Sequence, residues 1–88
     1  MDIRILRYFL AVAKEENITR AAESLHIAQP SLSKQIMELE SELGKKLLIR
    51  GKRKVTLTDE GVLLRKRAED LVALVEKTER EIVSDCKV

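Results

Sequence analysis

The only proline of this chain, Pro30, constrains the fold more than any other residue. An apolar stripe with the spacing of one helical face follows it, at Leu32, Ile36, Leu39 and Leu43. Proline has no backbone N–H, so a helix tolerates it in the first turn, where the amides have no intrahelical partner. Pro30 therefore predicts a helix over 29–43, and Gly44 supplies a C-terminal stop.

A shorter helical segment lies immediately before this helix. It is predicted over about residues 20–25, with Thr19 as its N-cap, because the threonine hydroxyl can accept from a first-turn amide. Ala21 and Ala22 on its inner face are small and allow another helix to approach closely. Only residues 26–28 separate the two segments, and this tight connection predicts a helix-turn-helix.

Three further elements are predicted around this pair. Apolar residues at helical spacing predict a first helix over 3–15. Two short strand-like runs, 47–50 and 54–57, flank Gly51 and predict a two-stranded wing. Thr58 is the predicted N-cap of a last helix that runs from 59 to about 84. The expected fold is mainly α, with a winged helix-turn-helix of three helices and a two-stranded wing in domain 1–58, followed by a long dimerising linker helix in domain 59–88.

The linker helix carries apolar residues at heptad spacing, in alternating steps of four and three. These candidate dimerisation residues are Leu64, Ala68, Leu71, Val75, Thr78 and Ile82. Further apolar surface beside this seam comes from Leu63, Val72, Leu74 and Val83. A helix of this length spans roughly 39 Å, more than so small a core covers. We therefore expect two copies of the chain to pair through it; the alternative is a helix that packs only on its own domain.

Composition excludes several classes of protein. The single cysteine, Cys86, cannot form an internal disulfide, which favours a reducing compartment. The chain begins with no apolar run long enough for a signal peptide or a membrane span. His26 and Cys86 are single and distant in sequence, so we expect neither a metal site nor a catalytic constellation, and no cofactor. These features predict a cytoplasmic protein that is not an enzyme and does not bind a membrane.

Positive charge is concentrated in one part of the chain. Residues 45–67 hold nine Lys or Arg against two acids, whereas the whole chain has a net charge of only +2. The predicted wing contributes Arg50, Lys52, Arg53 and Lys54, which could contact the DNA backbone or the minor groove. The alternative is a solvated charged face, which is what most charge runs are.

The helix over 29–43 carries a polar surface opposite its apolar stripe. Its first turns present Gln29, Pro30, Ser31, Ser33 and Lys34, whereas its acids lie in the C-terminal half. Such side chains can hydrogen-bond base edges and phosphates without strong repulsion. This distribution suits a helix whose N-terminal end enters the major groove, although an ordinary amphipathic helix with a solvated face remains the alternative.

The stretch from Leu6 to Gly61 resembles the N-terminal winged helix-turn-helix domain of LysR-type transcriptional regulators, through the strings "LHIAQPSLSKQI", "LLIR" and "LTDEG". The resemblance implies base contacts from Gln29, Pro30, Ser33 and Lys34. It implies contacts with the DNA backbone or minor groove from Thr19, Ser31 and Arg53. Ala28 departs from the pattern, because many relatives have Ser or Thr there and alanine lacks a capping oxygen.

The resemblance also sets expectations for partners. It implies a homodimer, joined through the linker helices, that binds double-stranded DNA at an interrupted inverted repeat. A domain that senses small molecules follows the linker in that family, so an effector is expected only in a missing C-terminal domain, and the 88 residues are expected to be a fragment. The predicted function is sequence-specific DNA binding in transcription regulation, at the bacterial nucleoid. A protein–protein dimerisation module without DNA binding is the alternative.

Overall fold

The computed structural model describes residues 1–84, and Cys86 and the end of the predicted linker domain lie outside them. Its elements are, in chain order, α1 (Ile3–Glu15), α2 (Ile18–Leu25), α3 (Gln29–Leu43), β1 (Leu48–Arg50), β2 (Val55–Leu57) and α4 (Asp59–Val83). The prediction of a mainly helical chain with three helices, a two-stranded wing and a long final helix is confirmed.

The hydrophobic core lies among α1, α2 and α3 and extends under the start of β1. Its fully buried large side chains are Phe9, Val12, Leu32, Ile36, Leu39 and Leu47. The small residues Ala21 and Ala22 of α2 are at most 2% exposed, which allows α2 to lie close to its neighbours. Leu32, Ile36 and Leu39 of the apolar stripe that follows Pro30 therefore form the inner face of α3, as their spacing predicts, whereas Leu43 at the helix end is exposed.

The start of α2 corrects one prediction. Asn17, not Thr19, is the N-cap, and its Oδ1 accepts a hydrogen bond of 2.9 Å from the backbone N–H of Arg20. The helix begins at Ile18 because burial of that side chain, 8% exposed, draws the first turn onto the core. Thr19 consequently lies inside the first turn of α2, with its side chain exposed.

The turn between α2 and α3 is tight, as expected for a helix-turn-helix. His26 ends α2 in the left-handed region, at φ 58°, and the backbone N–H of Ile27 donates to the carbonyl of Ala22 at 3.0 Å. Ala28 precedes α3 without any side-chain capping bond, and Pro30 is the second residue of the helix. The first turn of α3 therefore depends on Pro30, whose fixed φ suits a helix start.

Glu40 ties α3 to the wing. This residue is 7% exposed, and its Oε2 accepts from the backbone N–H of Leu47 at 2.7 Å and of Leu48 at 3.2 Å. Hydrogen bonds between a carboxylate and backbone amides are among the strong ones in proteins. The side chain thus satisfies two amides where the chain leaves α3 and enters the wing.

The wing is a single antiparallel hairpin. Leu48 pairs with Leu57, Ile49 with Thr56 and Arg50 with Val55. Each strand is one residue shorter than predicted, because the N–H of Leu47 goes to Glu40 and the carbonyl of Lys54 accepts from Gly51 within the turn. A further bond of 2.8 Å, from Val55 N–H to the carbonyl of Glu16, fastens β2 to the turn that precedes α2.

The start of α4 is fixed by one capping bond of its own and by two hydrogen bonds to the segment that leads into β1. The Oγ1 of Thr58 accepts from the N–H of Gly61 at 3.0 Å and donates to the carbonyl of Lys46 at 2.7 Å, so the predicted cap is confirmed. The N–H of Thr58 donates to the carbonyl of Leu47. A Cβ at Gly61 would overlap that same carbonyl group, so only glycine fits there.

From this start, α4 packs along α1 and then continues beyond the core. It has 25 residues, and the molecule measures 51 × 26 × 19 Å along its principal axes. An ion pair of 3.6 Å also joins Arg7 of α1 to Glu76 of α4, and both side chains are partly exposed. No helix within residues 1–84 has the length and apolar character needed to cross a membrane.

Candidate nucleic-acid interface

The outer face of α3 is largely exposed, and among the described residues 1–84 only the wing reaches it, at Ser33. Four predicted base-contacting residues, Gln29, Pro30, Ser33 and Lys34, line one open groove together with Met37, Glu38 and Ser41. All four lie within the first six residues of α3, and Ser33 is the only one that is partly covered. The structure therefore brings the predicted base-contacting residues together on one side of one helix.

Ser33 is partly covered because the wing reaches it. The Nη1 of Arg50 donates a hydrogen bond of 3.2 Å to the Ser33 Oγ. A serine hydroxyl has two acceptor lone pairs and one hydrogen, so this contact uses an acceptor and leaves the hydrogen free. Arg50 therefore stands beside the outer face of α3, away from the tip of the wing, and leaves Ser33 able to donate to a base acceptor.

A second open groove, the wing groove, runs between the start of α2 and the hairpin. It is lined by Thr19 and the four basic residues of the wing, Arg50, Lys52, Arg53 and Lys54, together with Glu16, Asn17, Ile18, Gly51 and Val55. The residues predicted to contact the DNA backbone thus lie together, with the exception of Ser31. That serine is exposed in the first turn of α3 and lies outside both grooves.

Electrostatics in the wing groove favour an anion. The one ion pair there joins Lys54 Nζ to a Glu16 carboxylate at 3.8 Å, and both side chains are more than half exposed. Such an exposed pair contributes little. Arg50 donates to Ser33, and the described contacts leave Lys52 and Arg53 to solvent, which is the arrangement expected of a surface that meets phosphates.

The structure divides the predicted dimerisation seam of α4. Ala68 is fully buried within its own chain, and Leu64 packs against the hydrophobic core. Ala68 therefore offers no free surface in the single chain, and the half-buried Leu64 offers only part of its side chain, so their part in a dimer contact stays a prediction. Leu71, Thr78 and Ile82 are exposed, and Val75 is half-buried.

Most of the free apolar surface of α4 lies on the flank of that seam, and the exposed Val62 and Val83 lie elsewhere around the helix. Four exposed residues, Leu63, Leu71, Leu74 and Ile82, fall within an arc of about 100° around the helix. Their side chains are 42–71% exposed. Apolar residues clustered on one arc of a helix mark a surface that another apolar surface can cover. We call this arc the free face of α4.

Two residues important to the site escape sequence analysis. In the sequence, Glu40 is one of three acids of α3 that are expected to face solvent. Its role becomes visible only in the structure, where the chain after Gly44 brings the backbone amides of Leu47 and Leu48 to its carboxylate. Asn17 reads as a break between two helices. Asparagine is as good an N-cap as threonine, so Asn17 is a second candidate for the start of α2 beside the predicted Thr19.

Comparisons with known proteins agree with this geometry. The family described as "Bacterial regulatory helix-turn-helix protein, lysR family" matches residues 3–62. The probable cat1 operon transcriptional activator of Acinetobacter lwoffii is 54% identical over 77 residues, which cover 88% of this chain and 25% of that protein. The Hca operon transcriptional activator HcaR of Escherichia coli is 52% identical over 79 residues, which cover 90% and 26%. The chain thus spans about a quarter of the length of these curated relatives.

Solved structures resemble the fold equally well. A DNA-binding domain of BenM, in complex with benA site 1 DNA, superimposes with a TM-score of 0.90 at 46% identity, covering 93% of this chain and 95% of that one. The DNA-binding domain of CbnR, in a DNA complex, gives a TM-score of 0.91 at 33% identity, covering 99% and 100%. The family match covers well over half of the chain, and the chain therefore belongs to the lysR family of bacterial regulatory helix-turn-helix proteins.

Proposed function

We propose that this chain is the DNA-binding part of a transcriptional regulator, which binds double-stranded DNA sequence-specifically. One observation carries the proposal. The outer face of α3 presents Gln29, Pro30, Ser33 and Lys34 on an uncovered helical surface, directly beside the basic wing. An α-helix fits the major groove of B-DNA, where each base pair presents its own pattern of donors and acceptors.

In this proposal, the outer face of α3 reads bases and the wing holds the backbone. Gln29 can form two hydrogen bonds with an adenine, Ser33 donates one through its free hydrogen, and Lys34 donates to a guanine or a phosphate. Residues 47–57 lie on the backbone or in the adjacent minor groove through Lys52, Arg53 and Lys54. Thr19, across the wing groove, and Ser31 donate to phosphates that flank the same half-site.

The free face of α4 pairs two copies of the chain in this proposal. Leu71 lies near its middle, and Leu63, Leu74, Thr78 and Ile82 extend the contact to both sides. A two-fold dimer places two α3 helices in opposite orientation, so its binding site is an interrupted inverted repeat. Val75 lies at the edge of the contact, because it is half-buried within the single chain.

The alternative function is a dimerisation module that does not bind DNA. It would explain the free face of α4 but would leave the uncovered polar face of α3 and the basic wing without a role. Two relatives in the family, BenM and CbnR, have this domain in complexes with DNA, which supports the DNA-binding proposal. We also infer that the protein is a regulator and not an enzyme, and that it works in the cytoplasm at the nucleoid.

Salt dependence separates the two functions. Binding of the chain to fluorescent duplex DNA should weaken steeply as salt rises, because each phosphate contact releases counterions and contributes about 0.9 to the slope of log K against log salt. A dimerisation module gives no such binding at any salt concentration. The measurement is fluorescence anisotropy from about 50 to 200 mM salt.

Base reading has its own test in Gln29→Ala. The substitution should cost about 1–3 kcal/mol at one A·T pair of each half-site and little at other pairs, since it removes one bidentate contact. Gln35→Ala, on the same helix but about 120° away, is the matched control and should bind like the unsubstituted chain. A uniform loss over all single-base variants of the site would mean that Gln29 only supports the backbone.

A further inference from the structure

Met37 is the exposed apolar side chain on the outer face of α3. It is 55% exposed and lines the same open groove as the proposed base-contacting residues. Leu43 is the other large apolar side chain of α3 that is exposed, and it continues the core stripe at the C-terminal end of the helix. Met37 therefore has a different environment from every other large apolar residue of α3.

The position of Met37 relative to Pro30 matters for what it can touch. Seven residues separate them, which places Met37 about 20° from Pro30 around the helix and about 10.5 Å further along its axis. That distance is roughly the rise of three base pairs. Ser41, the next outward residue, is small, so it leaves room around the Met37 side chain.

Basic residues lie on both sides of Met37. Lys34 precedes it on the outer face of α3, and Lys45 and Lys46 line a shallow surface pocket with it at the end of the helix. If the N-terminal part of α3 meets the major groove, these lysines can hold phosphates before and beyond Met37. A DNA contact that includes these lysines therefore extends past Met37 along the helix.

The chemistry of methionine limits what it can recognise there. Its thioether has no donor and is only a weak acceptor, so it cannot read the hydrogen-bonding pattern of a base pair. The major-groove edge has one apolar group among the four common bases, the C5 methyl of thymine. Three rotatable bonds and a polarizable sulfur let methionine adjust to such a group.

We propose that Met37 is a specificity-determining residue, which recognises a thymine methyl group in each half-site. The proposal rests on the proposed DNA-binding function and adds one base position to it. It also makes the recognition surface longer than the first six residues of α3. The contact removes the thioether and the methyl group from water together, and this favours thymine over cytosine and over uracil.

The test uses the 88-residue chain and a duplex selected from a random pool for binding to it. Each thymine of the selected site is replaced in turn by deoxyuridine, which lacks only the methyl group. One replacement in each half-site should weaken binding about fourfold, the factor that corresponds to about 0.8 kcal/mol for one methyl-sized group. In Met37→Gln the same replacement should have no effect, whereas Met37→Leu should retain it.

Leu43→Ala is the matched control, because it shortens an exposed apolar residue of the same helix away from the outer face. Its deoxyuridine scan should equal that of the unsubstituted chain, and circular dichroism should show unchanged helix content in all variants. A flat scan of the unsubstituted chain, or a methyl effect that persists in Met37→Gln, overturns the proposal while the DNA-binding function stands. Failure to select or bind any duplex in a salt-dependent way would overturn both.

Discussion

The helices α3 and α4 are both amphipathic, but they use their second faces differently. In α3 the inner face is packed on the core, with Leu32 and Ile36 fully buried, and the outer face is polar apart from Met37. In α4 only the first part of one face packs on its own chain, and Leu71 and Leu74 remain exposed. The difference indicates two kinds of partner, a polar one for α3 and an apolar one for α4. The polar face of α3 can be covered by a partner that hydrogen-bonds to it, and the apolar face of α4 by another apolar surface. Neither contact buries an unpaired polar group.

The largest expected effect is on the free energy of unfolding, and it distinguishes the buried face of α3 from the free face of α4. Leu32→Ala should lower the free energy of unfolding by about 2–5 kcal/mol, because it leaves a cavity in the core. Leu74→Ala makes the same chemical change at a residue that is 59% exposed, and it should change the stability of a single chain by no more than about 0.5 kcal/mol. Urea unfolding at low protein concentration, where association contributes least, measures both.

A comparable loss from the two substitutions would contradict this comparison. It would mean that Leu74 is packed within one chain, so that α4 has no free face.

The next effect concerns association of two copies. Leu71→Asp should weaken dimerisation at least about thirtyfold, or roughly 2 kcal/mol, because it places a carboxylate in the apolar contact. The single chain should stay folded, since Leu71 is 42% exposed within it. Analytical ultracentrifugation with circular dichroism on the same samples gives both quantities.

Ala73→Asp is the matched control for Leu71→Asp. It adds the same charge to the same helix at another exposed position, about 160° away around the axis. Because Ala73 lies away from the free face of α4, Ala73→Asp should remain as dimeric as the unsubstituted chain. If both variants are equally dimeric, the free face of α4 is the wrong interface.

The smallest effect concerns the wing. Arg53→Ala should weaken specific and non-specific DNA binding alike and reduce the log–log salt slope by about 0.9 for the phosphate contact it loses. Lys77→Ala removes one positive charge from an exposed position on α4 and should leave the slope as it was. Equal slopes for the two variants would place Arg53 in solvent and the wing away from the backbone.

Most of the helical framework follows from local sequence signals. Pro30 and the leucine stripe after it define α3, and Thr58 defines the start of α4, because helix starts depend on one or two residues whose chemistry is recognisable. The four predicted base-contacting residues come from the resemblance, and their common exposed face follows from helical spacing alone. Their contacts with DNA remain predictions.

The features that sequence analysis missed depend on tertiary contacts. Heptad spacing identifies Leu64, Ala68 and Leu71 as one seam, but it cannot say that Ala68 is already buried within its own chain. Glu40 counts as a surface acid with Glu38 and Glu42 when only residue type is considered, whereas its carboxylate is buried against two backbone amides of the next segment. In both cases the residues that bury the side chain lie outside its own helix, so the periodicity of that helix cannot identify them.

We propose that α3 faces DNA while α4 faces a second copy of the chain. The most direct test compares affinity for one selected half-site with affinity for two inverted half-sites at their selected spacing, and then inserts 5 bp between them. We predict that the paired site binds far more tightly than the single one, because the second contact becomes intramolecular. The insertion should remove that gain, because it rotates one half-site by about half a turn of the duplex. Equal affinity for single, paired and respaced sites would contradict the account.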